Sequence, residues 1–128
     1  MTGADMAMLL AGVFLVGLGL VHSWLGEVKL IGPLLSPQGR SGMLVHSRFA
    51  RNVLRFAWHL TSLAWWGMGI SVAMLAVPFA VEPRLALLAG TGVTCLITGL
   101  LILVIGRGRH LAWPVFLAAA FCCGVPLA

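Results

Sequence analysis

Four apolar stretches, each near the ~20 residues a helix needs to cross the hydrocarbon core of a bilayer, restrict this chain to very few folds. They run about 6–25, 53–77, 85–105 and 110–128. In lipid every backbone N–H and C=O must be satisfied internally, so only helices or a closed barrel can span. The period-2 alternation of barrel strands is absent, and helices are expected. Composition agrees: 61% of the 128 residues are hydrophobic, 9% are charged and mean hydropathy is +1.08. A soluble domain of this size cannot hide so much apolar surface. The expected fold is all-α, an up-down bundle of four transmembrane helices forming one domain over residues 1–128.

Charge then sets an orientation. Lys29, Arg40, Arg48, Arg51, Arg55, Arg107 and Arg109 lie at one end of such a bundle, and only Arg84 lies at the other. Short loops rich in Lys and Arg stay cytoplasmic, which predicts both termini outside, in the periplasm of a bacterium, and a multi-pass inner-membrane protein. A net charge of +5 raises the possibility of nucleic acid. The basic residues sit in connections between spans, however, so membrane lipids are the expected partners and nucleic acid is not. Before Met6 there is Asp5 and no Lys or Arg, unlike a secretory leader, so the first span is expected to remain as a helix. Cys95, Cys122 and Cys123 lie inside apolar spans without C-x-x-C spacing and are expected to pack as small apolar residues.

The connection from Gly26 to Asn52 carries turn chemistry at Gly32-Pro33, Ser36-Pro37 and Gly39-Arg40-Ser41-Gly42. Pro78 to Pro83 reads as a short turn and Gly106-Arg107-Gly108-Arg109 as a tight hairpin. Small residues form stripes: Gly12, Gly19, Ser23 and Gly26 in the first span, Ser62, Gly69 and Ala73 in the second, Ala86, Gly90, Thr94 and Thr98 in the third. Such stripes let membrane helices approach closely, predicting a compact bundle; left exposed, they would allow a homo-oligomer or a membrane-protein partner, with Gly12 and Gly90 as probes. Trp24, Trp58 and Trp113 fall where interfacial anchors belong.

Five side chains that lipid tolerates poorly, His22, Glu27, Arg55, His59 and His110, converge on the basic end. Arg51, Arg55, His59, Ser62 and Trp66 follow spacings of four, four, three and four and share one stripe of the second helix. His22 and Glu27 are five apart, which is not a same-face spacing, and Gly26 is the expected helix end that would let Glu27 fold back.

Three functions fit this pattern. The leading one is structural, as an accessory subunit. The second is a transition-metal or haem site with His22 and His59 as ligands, His110 third and Glu27 in support. The third is a site for a quinone-like or anionic small ligand, with Arg55, His59, Ser62 and Trp66 around it. Glu27 is the one carboxylate at this end, which disfavours a di-iron centre. No carboxylate lies in mid-membrane, no lysine is placed for a Schiff base, there is no Gly-rich phosphate loop, and no nucleophile–base pair stands out.

His22-Ser23-Trp24-Leu25-Gly26-Glu27, Trp58-His59-Leu60-Thr61-Ser62 and Arg109-His110-Leu111-Ala112-Trp113-Pro114 resemble the motifs of uncharacterised small bacterial four-helix inner-membrane proteins with HSxLGE and WHxxS motifs. The resemblance implies four helices and an inner-membrane location, and no activity. It also groups His22, Glu27, His59, Ser62 and His110 as motif positions.

Overall fold

A reciprocal cap starts the first helix of the computed structural model, which describes residues 2–77 and 82–127. Thr2 Oγ1 accepts from Asp5 N–H at 3.2 Å, and the Asp5 carboxylate accepts from Thr2 N–H at 2.6 Å. Helix α1 (Gly3–Gly26) then continues through a π-helical turn, Glu27–Ile31, into α2 (Gly32–Leu35) without a break. The expected helix end at Gly26 is therefore corrected: Glu27 keeps helical angles, and Gly32 N–H donates to Glu27 C=O in the wide register of the π-turn. The cause is Pro33, which has no N–H to donate and whose ring would crowd the carbonyl of Lys29 in a regular helix. Gly32-Pro33 thus widens the helix rather than turning it. The real turn comes at Ser36, whose hydroxyl donates to Pro33 C=O and accepts from Gly39 N–H.

After the one-turn α3 (Met43–His46), Ser47 caps α4 (Arg48–Leu75) by accepting from Ala50 N–H. Helix α5 (Pro83–Ile105) follows; the turn expected over Pro78 to Pro83 falls largely on residues 78–81, outside the described residues. Arg107 and Gly108 take left-handed angles, φ 50° and 74°, and make the expected hairpin. Helix α6 (Trp113–Gly124), closed by a 3-10 turn Val125–Leu127, begins three residues later than expected, because Pro114 fits only a first helical turn. At 12 residues α6 is ~18 Å long, shorter than a hydrocarbon core. All regular elements among the described residues are helical. Among the described residues two helices, Gly3–Leu35 and Pro83–Ile105, are long and apolar enough to cross a membrane.

The packing is antiparallel, and the most extensive contacts run serially, α1 on α4, α4 on α5 and α5 on α6. Glycines set each contact. A Cβ at Gly12 would lie 2.7 Å from Gly69 C=O, one at Gly19 would enter the Trp66 indole, and one at Gly26 would enter the Trp58 indole. Rising numbers on α1 thus meet falling numbers on α4, at intervals of seven that keep one seam facing the partner. Trp66 Nε1 donates to Val16 C=O at 3.1 Å and Trp58 Nε1 to His22 C=O at 3.3 Å, reaching backbone that the missing side chains leave open. Trp58, expected as an interfacial anchor, is a packing residue; Trp24 is 66% exposed. Gly67 and Gly90 receive Thr94 and Ser71 between α4 and α5. Gly12 and Gly90 are therefore spent within the chain and are no longer useful probes of an oligomer.

Gly17 and Gly19 separate packing from helix propensity. A Cβ at Gly17 meets nothing within 4 Å, whereas one at Gly19 meets Trp66 and the Ser62 carbonyl. Gly19→Leu is expected to cost ~2–3 kcal/mol, and Gly17→Leu to be neutral or slightly stabilising, in reversible unfolding of the detergent-solubilised protein.

Candidate functional site

The stripe on α4 divides its labour once its partners are known. Arg51 Nη1 donates to the carbonyls of Leu44 at 2.6 Å and Val45 at 3.2 Å, pinning α3 to the start of α4. Arg55, one turn on, pairs with Glu27 at 2.9 Å. His59 Nε2 lies 3.2 Å from the other Glu27 oxygen, and its Nδ1 lies 2.9 Å from Ser23 Oγ. Ser23 donates at 2.9 Å to Ser62, which is fully buried. Trp66 spends its N–H on α1. The chain Arg55–Glu27–His59–Ser23–Ser62 therefore crosses the seam between the first helix and α4 four times, once at every link.

Helix continuity through Gly26 makes this possible. Ser23 and Glu27 are four apart, so an unbroken helix presents both to His59. Glu27 meets two basic side chains, satisfying both its oxygens. The pair is partly open, with Arg55 49% and Glu27 38% exposed as side chains. In water such a pair contributes ~0–1 kcal/mol. For a cluster that faces lipid, an unmatched charge costs ~2–3 kcal/mol, a penalty that pairing the three groups avoids.

His22 does not join them. Its ring stacks on Trp58, with centroids 4.4 Å apart and planes 8° off parallel, and meets the edge of Trp65 at 5.0 Å. Its Nε2 is 3.0 Å from Thr61 Oγ1. Thr61 donates its single hydroxyl proton to Trp58 C=O at 2.7 Å, so His22 Nε2 must be the donor to Thr61. His110 is exposed, and its Nδ1 accepts from Ala112 N–H at 3.3 Å. The expected ligand set of His22, His59, His110 and Glu27 is thus divided: only His59 and Glu27 touch. Among the described residues no group of three or more His, Cys, Asp or Glu side chains could hold a metal ion. Both nitrogens of His59 are already engaged, which argues equally against haem ligation by the pair His22 and His59.

Of the expected ligand-binding residues, Arg55, His59 and Trp66 line one cavity of about 620 Å³, together with Ser23, Asn52 and a wall that includes Leu63 and Leu101. Ser62 lies behind Ser23 rather than in the wall. Polar groups gather at the basic end of the cavity and apolar side chains along its length. Sequence reasoning missed Ser23, read as packing, and Asn52. The four-residue spacing of Ser23 and Glu27 was the available signal. No protein-family model, curated protein or solved structure matches this chain.

Coupling between charges is the measurable consequence. Glu27→Gln and Arg55→Gln are each expected to destabilise by ~1–2 kcal/mol, and the double variant by ~1 kcal/mol less than their sum. His110→Ala is expected within ~0.5 kcal/mol of wild type. Chemical unfolding in detergent measures all four.

Proposed function

We propose that this is an integral protein of a bacterial inner membrane that binds an amphiphilic small molecule in the cleft formed by α1, α4 and α5. The cleft carries the reading: about 620 Å³, with Asn52, Arg55 and His59 at one end and Phe56, Leu60, Leu63, Trp66, Leu101 and Ile105 beyond. That volume suits a small organic ligand. Arg55 and Asn52 offer N–H donors to an anionic or carbonyl head, as in a quinone or an acyl chain, and the apolar wall takes the tail.

Membrane location is supported by an inverted surface. Large apolar side chains such as Phe14, Val104, Leu111 and Phe121 are about 70% exposed or more, while the fully buried positions include Ser62 and Ala86. Small residues inside and large apolar ones outside is the pattern of helices packed in lipid. The short α6 would cross with local thinning of the bilayer or stop within it. Seven of the eight Lys and Arg lie at the cleft end, which supports a cytoplasmic position for that end with both termini outside. A metal or haem function has less support, since His22 and His59 are each committed to other partners.

Decylubiquinone, a quinone with a short apolar tail, is a direct probe, because Trp66 forms part of the wall. We expect saturable quenching of tryptophan emission in detergent-solubilised protein, weakened about tenfold by Leu63→Trp, which fills the cleft, and by Arg55→Met. Quenching that rises linearly with probe concentration and is equal in all three proteins would contradict the reading.

A further inference from the structure

Three residues of the cleft's polar end stand in the order nucleophile, base and orienting carboxylate. Ser23 Oγ is 2.9 Å from His59 Nδ1, and His59 Nε2 is 3.2 Å from Glu27 Oε2. Both distances lie within, or at the edge of, the reach required for nucleophile–base–carboxylate catalysis. Ser23 and His59 also line the cavity itself, so the hydroxyl faces the space in which a ligand would lie. We propose that Ser23, His59 and Glu27 form a hydrolytic relay that cleaves an ester of the amphiphile held in the cleft. This rests on the ligand-binding reading and adds a reaction to it.

The proton arrangement is attainable without moving a heavy atom. Ser23 donates to Ser62 Oγ at 2.9 Å, and rotation about its own C–O bond turns the same proton to His59 Nδ1. Nε2–H then faces the Glu27 carboxylate, which fixes that tautomer and stabilises the ring when it gains a second proton. Arg55, bound to the other Glu27 oxygen, keeps the carboxylate oriented. Ser62 can serve as a donor to Ser23 in this state, holding its oxygen in place.

The reaction balances with water as co-reactant. Ser23 Oγ attacks the ester carbonyl carbon, its proton passes to His59 Nδ1, and the new O–C bond places negative charge on the carbonyl oxygen. Collapse breaks the bond to the alcohol, which leaves with the proton from His59. Water then attacks the acyl-serine, giving its proton to His59, and the acid departs as that proton returns to Ser23. Asn52, seven residues before His59 on α4 and so ~10 Å away along the helix axis, lines the same cavity and is placed for a polar group of the ligand remote from the reacting carbonyl.

A fluorophosphonate with a decyl chain tests the relay directly. Serine attack forms an O–P bond, fluoride leaves, and the proton goes to His59. Intact-mass and peptide analysis of the full chain in detergent is expected to show one adduct, on Ser23. Ser23→Ala should abolish it while decylubiquinone quenching stays saturable, which also shows that this variant folds. His59→Gln and Glu27→Gln should slow labelling at least tenfold when each variant is compared at probe concentrations that saturate its own site. Saturable quenching of wild type without an adduct, or an adduct on another serine, overturns the relay and leaves the ligand reading intact. Labelling of Ser23 at an unchanged rate in both His59→Gln and Glu27→Gln overturns the base assignment. Absence of both quenching and adduct overturns the two readings together.

Discussion

The close approach of α1 and α4 is the constraint on which the rest of this molecule depends. Gly12, Gly19 and Gly26 are the three buried residues of α1, and each is covered from α4 by a group that a side chain would displace. Trp66 and Trp58 lie over Gly19 and Gly26 and donate to carbonyls of α1. The helices are thereby locked in rotation and in register, not merely held near each other. Ser23 and Glu27, on the same side of α1, are delivered to His59 and Arg55 as a consequence. Between helices that pack in lipid no hydrophobic force acts, and contact area with a few polar bonds of this kind sets the geometry.

A second constraint acts at the end of the first span. A helix that stopped at Gly26 would lose the spacing that presents Ser23 and Glu27 together. Pro33 would break an ordinary helix, and the π-turn before it absorbs that conflict while letting the helix run on for 33 residues. Glu27 opens that π-turn, placing the one acidic group of this end beside two basic ones. The irregular turn and the polar cluster are therefore one feature. π-turns occur frequently at functional sites, and this one begins at the carboxylate of the polar cluster.

Much of this was legible in the sequence. Helices follow from apolar runs, and the seam residues Gly12, Gly19, Gly26, Ser62 and Gly69 follow from the spacing of small side chains. Arg55 and His59 were legible as neighbours on one stripe, and Glu27 as the carboxylate of their end. Three things were not. The π-turn depends on whether Pro33 ends a helix or widens it, which local preference does not decide. The partner of His59 was misjudged because depth selects His22 and Ser23 equally, and only rotation about the helix axis separates them. Trp58 settles that rotation by occupying the place over Gly26 and stacking His22 against itself, away from His59. Finally, serial packing of helices is invisible to periodicity, and it is serial packing that leaves the cleft beside α4 open.

Contact between His59 and Glu27 is the central claim, and magnetic-resonance distance measurement in lipid bilayers tests it most directly. Glu27 and Glu82 are the two glutamates of the chain, so selective labelling of glutamate carboxyl carbon and histidine ring nitrogen gives few signals. One strong dipolar coupling is expected, assigned to His59 Nε2 and Glu27 and lost in His59→Gln, with His22 uncoupled to either carboxylate. A coupling from Glu27 to His22 instead, or to no histidine, would contradict the rotation of α1 against α4 from which the cleft and its chemistry are derived.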